Sequence, residues 1–380
     1  MELRKMFEPI RIGNVQLKNR VMFPPMTTGY ENADGLPSEK CIAFYEELAQ
    51  GEVGYIVLGD VAPVLTMTPT PKLFNDDQIS GFRPLADAVH RHGACLGMQI
   101  FYPEYDVPEV GRLILHARMQ TEEAAKAEAT RAAYAKMHYD MQHFASEATT
   151  LQIEQIQQVM TDCAIRAVKA GADIIELHGD RLLGSFLSEL INKRTDNYGG
   201  TLENRCRFST ELIRKIKQAL PGTPIEYKLP VITTNEDGTL RGKGGVQVEE
   251  APQAALLLQQ AGADALQVAQ ANHTGNLADT IPPRGAVPHC WTLSVAHQVK
   301  QVVTIPVATV GWIHTPERGE QILQEGQADI VAYGRPFLAD PEMLKKALHN
   351  EPFTLCIGCN AACVGGLLKR RPVACVVRKK

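Results

Sequence analysis

Excess positive charge is what this 380-residue sequence most plainly lacks: 39 Lys and Arg stand against 43 Asp and Glu, for a net charge of −4. With an isoelectric point near 6.3, it offers no basic field to attract a nucleic-acid backbone. Long apolar runs are missing as well. None reaches the roughly 20 residues of a membrane span, and the N-terminal MELRKMFEPI has no apolar core of a signal peptide. These absences argue against nucleic-acid and membrane partners and set the expectation of a cytoplasmic protein. No strand–G-x-G-x-x-G–helix unit occurs, so no dinucleotide-binding domain of that type is expected. Nine cysteines in a chain this long do not make the disulfide framework of a small secreted domain. Cys41, Cys95, Cys163, Cys206 and Cys290 are scattered and are expected to be small core residues. The other four crowd the C-terminal end.

What is present, at 44% hydrophobic and 22% charged residues, is ample material for a globular core. Apolar runs that read as buried parallel strands recur at 21–24, 54–59, 95–100, 173–178, 224–229, 264–269, 305–309 and 329–333. Helix-forming segments such as 82–91, 152–168, 208–219 and 248–262 separate them. Eight strand–helix units predict an α/β protein, a single (β/α)8 TIM barrel over residues 1–345 with a C-terminal segment over 346–380. Residues 103–146 break the rhythm. They are expected to form a loop inserted after the third strand, with 103–108 irregular and one helix in 121–145, and to act as a lid over the barrel mouth. Met119, Met137 and Met141 in it either line a pocket or simply pack.

The chemistry-bearing residues fall at strand ends. His178, Gly179, Asp180 and Arg181 follow the fourth strand, the place where such barrels keep reactive groups. Gln99 and Lys228 lie inside otherwise apolar strands, where an unpaired amide or ammonium is costly. Glycine turns follow strands seven and eight, Val310-Gly311 and Gly334-Arg335, as in the standard phosphate site of this fold. Cys356-x2-Cys359-x3-Cys363-x11-Cys375 suits four thiolates around one [4Fe–4S] cluster. Zinc is the rival, but a zinc ribbon usually shows two C-x2-C pairs and only one is present.

Three phrases carry a resemblance. Arg194-Thr195-Asp196-Asn197-Tyr198-Gly199-Gly200-Thr201-Leu202-Glu203-Asn204-Arg205 resembles the R-T-D-x-Y-G-G-S-x-E-N-R of the Old Yellow Enzyme family of flavin reductases. The run from Asn19 to Met26 and the A-Y-G-R-P-F-L-A-D-P phrase at 332–341 resemble the same family. The cysteine spacing resembles its iron–sulfur branch, the bacterial dienoyl-CoA and enoate reductases. The resemblance implies an FMN barrel in which Pro25, Met26, Thr27, Gly59, Gln99, Lys228, Val310, Gly311, Gly334 and Arg335 contact the cofactor. It places the Thr27 hydroxyl as a donor to the flavin O4/N5 edge, Gln99 at the pyrimidine side and Lys228 near N1. It also implies electrons from NAD(P)H, from reduced flavin, or from a separate donor protein.

The sequence departs from the family at the fourth strand. Most relatives carry H-x-x-[HN]-G-Y there, whereas this chain has His178-Gly179-Asp180-Arg181-Leu182-Leu183. That wording resembles the gut-bacterial bilirubin-reductase sub-branch. The resemblance then implies hydride transfer from FMN to a bridging C=C bond of a tetrapyrrole, bilirubin to urobilinogen. In that reading Arg181 stabilises the resulting charge or binds a propionate, and Asp180 orients Arg181 or acts as acid. His273 is the other proton-donor candidate, and His178 contacts the substrate carbonyl or the flavin. Two alternatives stand beside it: an enoate or 2-enoyl-CoA/dienoyl-CoA reductase acting on a conjugated enone or enoate, and a non-catalytic FMN/iron–sulfur electron carrier.

Overall fold

The computed structural model describes residues 3–66, 70–272, 280–281, 284–285 and 291–378. Its centre is a closed ring of eight parallel strands: β1 (Val21–Phe23), β2 (Tyr55–Val61), β3 (Cys95–Ile100), β4 (Ile174–His178), β5 (Ile225–Thr234), β6 (Ala265–Gln270), β7 (Val307–Val310) and β8 (Ile330–Ala332). Each pairs with the next in chain order, and β8 pairs with β1 to shut the ring. Parallel neighbours need a crossover, and helices such as Glu39–Gln50, Ile79–His90 and Leu202–Ala219 supply it on the outside. The strands are buried on both faces, which is why their sequences are nearly continuously apolar. Among the described residues no helix is long and apolar enough to cross a membrane.

An antiparallel hairpin, Ile10–Ile12 with Val15–Leu17, closes the N-terminal end of the barrel. It buries Ile12 and Leu17 against Met22, Tyr55, Val57, Ile174, Ala265 and Ile330, each side chain worth about 2 kcal/mol on leaving water. The C-terminal end therefore remains as the mouth. Alternation along the strands points Gln99, Glu176, His178, Glu226, Lys228 and Gln267 into the lumen on four neighbouring strands.

The insertion differs from its expectation. It carries two antiparallel helices, Val107–Met119 and Glu123–Glu147, rather than one. Pro108 does not close a loop: Asp106 accepts the Glu109 N–H at 3.0 Å, so Pro108 sits in the first helical turn, where its missing N–H costs nothing. The fifth strand also runs on to Thr234, and its end pairs with a short strand at Leu240–Arg241. Cys41, Cys163 and Cys206 are fully buried as expected, Cys95 is half-buried, and Cys290 lies outside the described residues.

Candidate active site

Polar groups converge where β2, β3 and β4 end. His178, the last residue of β4, is buried, with Nδ1 3.4 Å from Oδ1 of Asp60 at the end of β2. Thr27, on the loop after β1, donates its hydroxyl to the other Asp60 oxygen. The Asp60 N–H donates to Gln99 Oε1 at 3.3 Å, while Gln99 Nε2 is buried without a hydrogen-bond partner. Asp60 is thus the hub of the cluster, and it was absent from the residues singled out in the sequence. Burial alone would push its carboxyl up, but His178, Arg181 and the Thr27 hydroxyl outweigh that and hold it below the usual carboxylate range. For His178 burial wins: it pushes the imidazole down despite Asp60, and Lys228 adds to the effect.

Asp180 and Arg181 follow at once. Gly179 permits this turn, since a Cβ there would stand 2.1 Å from the Lys228 carbonyl oxygen. Arg181 adopts a left-handed backbone (φ 54°) and opens the short helix Arg181–Leu187. Its guanidinium lies 3.5 Å from Glu104, a buried carboxylate at the root of the insertion. That charge, together with Asp60 and Asp180, raises the arginine further above its ordinary range and keeps it cationic. Asp180 forms no ion pair or hydrogen bond with Arg181 among the described residues and acts on it only as a neighbouring charge. Asp180 Oδ1 instead accepts the Asn272 N–H at 3.3 Å, tying β4 to the loop after β6. His273, one residue further on, lies outside the described residues.

The remaining residues sort into walls. Gly59 packs flat on the strand-one loop, where a Cβ would meet the Met26 nitrogen at 2.7 Å. A Cβ at Gly334 would stand 3.1 Å from Met26 Sδ, so Met26, the residue after Pro25, is wedged between the ends of β2 and β8. Val310 O accepts the Thr292 hydroxyl at 2.5 Å, and Gly311 has φ 147°. Lys228 is half-buried on β5, in register with His178 on one side and Gln267 on the other. Arg335 is placed differently from a free phosphate ligand: it stacks on Trp312 with 4.4 Å to the ring centre and donates to Asn360 Oδ1 at 2.6 Å.

Asn360 belongs to the cysteine segment. Cys356, Cys359, Cys363 and Cys375 line one small cavity together with Arg335 and Asn360. The Gly358 and Ala361 N–H groups lie 3.4 Å and 3.5 Å from the Cys356 and Cys359 sulfurs. The segment is stitched to the mouth, because Val373 N–H donates to Thr28 O at 2.8 Å and Tyr30 OH donates to Val373 O at 2.7 Å.

The mouth of the barrel thus combines a buried core amide with an unpartnered nitrogen, a buried carboxylate hub and an arginine–carboxylate pair. Residues 5–353 match the NADH:flavin oxidoreductase / NADH oxidase family, and the chain belongs to it. At 48% identity it is similar to a bilirubin reductase of Mediterraneibacter gnavus, with 98% of this chain aligned to 56% of that one. It is 32% identical to a bilirubin reductase of Clostridium symbiosum, over 99% of this chain and 98% of that one. The chain thus spans little more than half of the first relative and nearly all of the second. Its fold is also that of a solved 2-naphthoyl-CoA reductase complex, with a TM-score of 0.77 at 21% identity over 99% of this chain and 57% of that one.

Proposed function

We propose that this chain is a flavin-dependent reductase of conjugated C=C bonds, that its substrate is bilirubin, and that its C-terminal cysteines hold a [4Fe–4S] cluster. The observation that carries the reading is the Asp180–Arg181 step at the end of β4, with Asp180 buried and Arg181 half-buried beside His178, in a chain similar to two bilirubin reductases.

The residues present fit FMN. Gln99 Nε2 and Gln267 Oε1 are buried polar atoms without partners in the lumen, as the two sides of an amide- and carbonyl-edged ring would require. Gly59 and Gly334 present backbone to that wall, packed against Met26 and Pro24. Lys228 supplies positive charge near the place where the resemblance puts flavin N1. When bound, the flavin supplies the hydride.

The chain's own residues do the rest. Arg181, held by Glu104, meets either a propionate or the negative charge left on the nitrogen–carbonyl system. It does not supply the proton, since its neighbours hold it cationic. Asp180, anchored through one oxygen to Asn272, keeps the other for a polar group of the substrate.

The cluster reading is supported by geometry. Four thiols share one small cavity. A zinc ribbon usually presents two C-x2-C pairs, and this segment has one. N–H groups aimed at two of the sulfurs and the nearby Arg335 favour an anionic thiolate cluster.

The test is anaerobic. The protein is reconstituted with FMN, iron and sulfide, given NADH or reduced flavin, and bilirubin absorbance is followed beside cinnamate and enoyl-CoA controls. Bilirubin loss with urobilinogen formation, abolished in Asp180→Ala, is the expected result. Turnover of a control alone, with a fully reducible flavin, makes this an enoate or enoyl-CoA reductase. Flavin reduction and reoxidation indifferent to Asp180→Ala, with no substrate consumed, makes it an electron carrier.

A further inference from the structure

Strand β2 pairs with β3 at Leu58↔Met98 and next at Val61↔Ile100. Gly59 and Asp60 therefore stand together opposite the single residue Gln99. This is a β-bulge, a device that re-aims a side chain and recurs beside active sites. Asp60 takes the left-handed backbone of the extra residue, φ 55°, which residues with a Cβ usually avoid. Its amide, displaced from the ladder, is recovered by Gln99 Oε1. The effect is to swing a carboxylate into the mouth between Thr27 and His178.

We propose that Asp60 is a positioning residue that turns Thr27 and His178 into hydrogen-bond acceptors toward the substrate. It takes the Thr27 hydroxyl proton, so the Oγ1 lone pairs are what Thr27 has left to offer, contrary to the donor role the resemblance implies. His178 Nδ1 lies buried 3.4 Å from Asp60 Oδ1 without closing a hydrogen bond, and the carboxylate's charge favours the single proton of a neutral imidazole on that nitrogen, leaving Nε2 with a lone pair. The other titratable groups near this pair are Arg181, Lys228, Asp180, Glu31 and Glu176. Burial and Lys228 favour the neutral imidazole, and Arg181 favours the anionic carboxylate. A mouth edged with acceptors selects a substrate that presents N–H groups beside its reducible bond, as pyrroles and lactams do. It disfavours one that presents only a carbonyl. The inference rests on the reductase reading and refines its substrate class.

The first readout needs no turnover. In FMN-reconstituted protein labelled with ¹⁵N-histidine, His178 is assigned by the signal that His178→Gln removes. The expected state at neutral pH is protonated Nδ1 with bare Nε2. An Nε2–H tautomer or an imidazolium overturns the proposal. Asp60→Asn, which can donate to Nδ1 while still accepting from Thr27, should move the proton to Nε2. Its kcat/KM for bilirubin should fall on the order of tenfold to a hundredfold relative to that for cinnamate, the worth of one inverted hydrogen bond. An unmoved tautomer with equal losses on both substrates overturns the proposal. If Asp60→Asn does not fold, the wild-type tautomer decides. If neither substrate is reduced, the reductase reading has failed, and the tautomer still judges Asp60.

Discussion

Replacing Glu226 with glutamine should make the protein more stable, and only at the alkaline end of its range. Glu226 on β5 stands in register with Glu176 on β4, both fully buried in the barrel lumen. Tyr55 donates its hydroxyl to Glu226 Oε2 at 2.8 Å, and the other three carboxylate oxygens of the pair have no partner. Burial pushes Glu226 up to about 7, with Tyr55 and Lys228 pulling the other way. Glu176 is raised further by its own burial and by the charge of Glu226. A carboxyl whose folded pKa lies above the ordinary 4.5 adds stability that is full below 4.5 and is lost as pH rises through about 7. That interval corresponds to about 3 kcal/mol at about 1.4 kcal/mol per pH unit. Glutamine keeps the volume, still accepts the Tyr55 hydroxyl and cannot ionise. The stability gap between Glu226→Gln and the wild type should therefore widen by about 2–3 kcal/mol between pH 5 and pH 8. For a chain of this length that is roughly 3–4 °C in Tm. Paired urea titrations or calorimetric scans at the two pH values measure it. A constant offset, equal at both pH values, would refute the reasoning.

Three further outcomes test the site. Cys363→Ala should lose iron while retaining FMN, as measured by iron and flavin content per chain, because its thiol is one corner of the shared cavity. Gly59→Ala should leave a folded chain by circular dichroism but lower FMN occupancy, since the new Cβ meets backbone at Met26 that cannot move aside like a side chain. Arg181→Lys should lower kcat/KM for bilirubin by about tenfold or more with the flavin spectrum unchanged, because an ammonium cannot reproduce a planar fork held by Glu104.

Much of the architecture was legible because it rests on local composition. A strand buried on both faces must be apolar throughout, so the eight runs announce themselves, and polar residues within them stand out. Gln99 and Lys228 were found that way, and the same test applied to Glu176 and Glu226 would have found them too. The phrase from Arg194 to Arg205 carries the family resemblance most strongly, yet in the structure it braces the scaffold. Arg194 donates to the carbonyls of Ala145, Ser146 and Ala148 at the end of the long insertion helix. Asn192, just before it, bridges Phe186 O and Tyr198 O at 2.7 Å each, and Arg205 reaches Leu187 O and Glu250. The wording is diagnostic because it holds β4's loop in place, not because it touches chemistry.

By itself, then, the sequence determined the barrel, the cysteine motif and the polar step from His178 to Arg181 after β4, all of which follow from spacing and burial along the chain. Only the tertiary structure decided the partners. That Thr27 donates to Asp60, that Arg181 turns to Glu104 rather than Asp180, and that Arg335 faces the cysteine segment depend on residues 25 to 77 positions apart. The placement of Asp60 depends on a one-residue slip in register between β2 and β3. Register is a property of two strands packed together, and neither strand's sequence contains it.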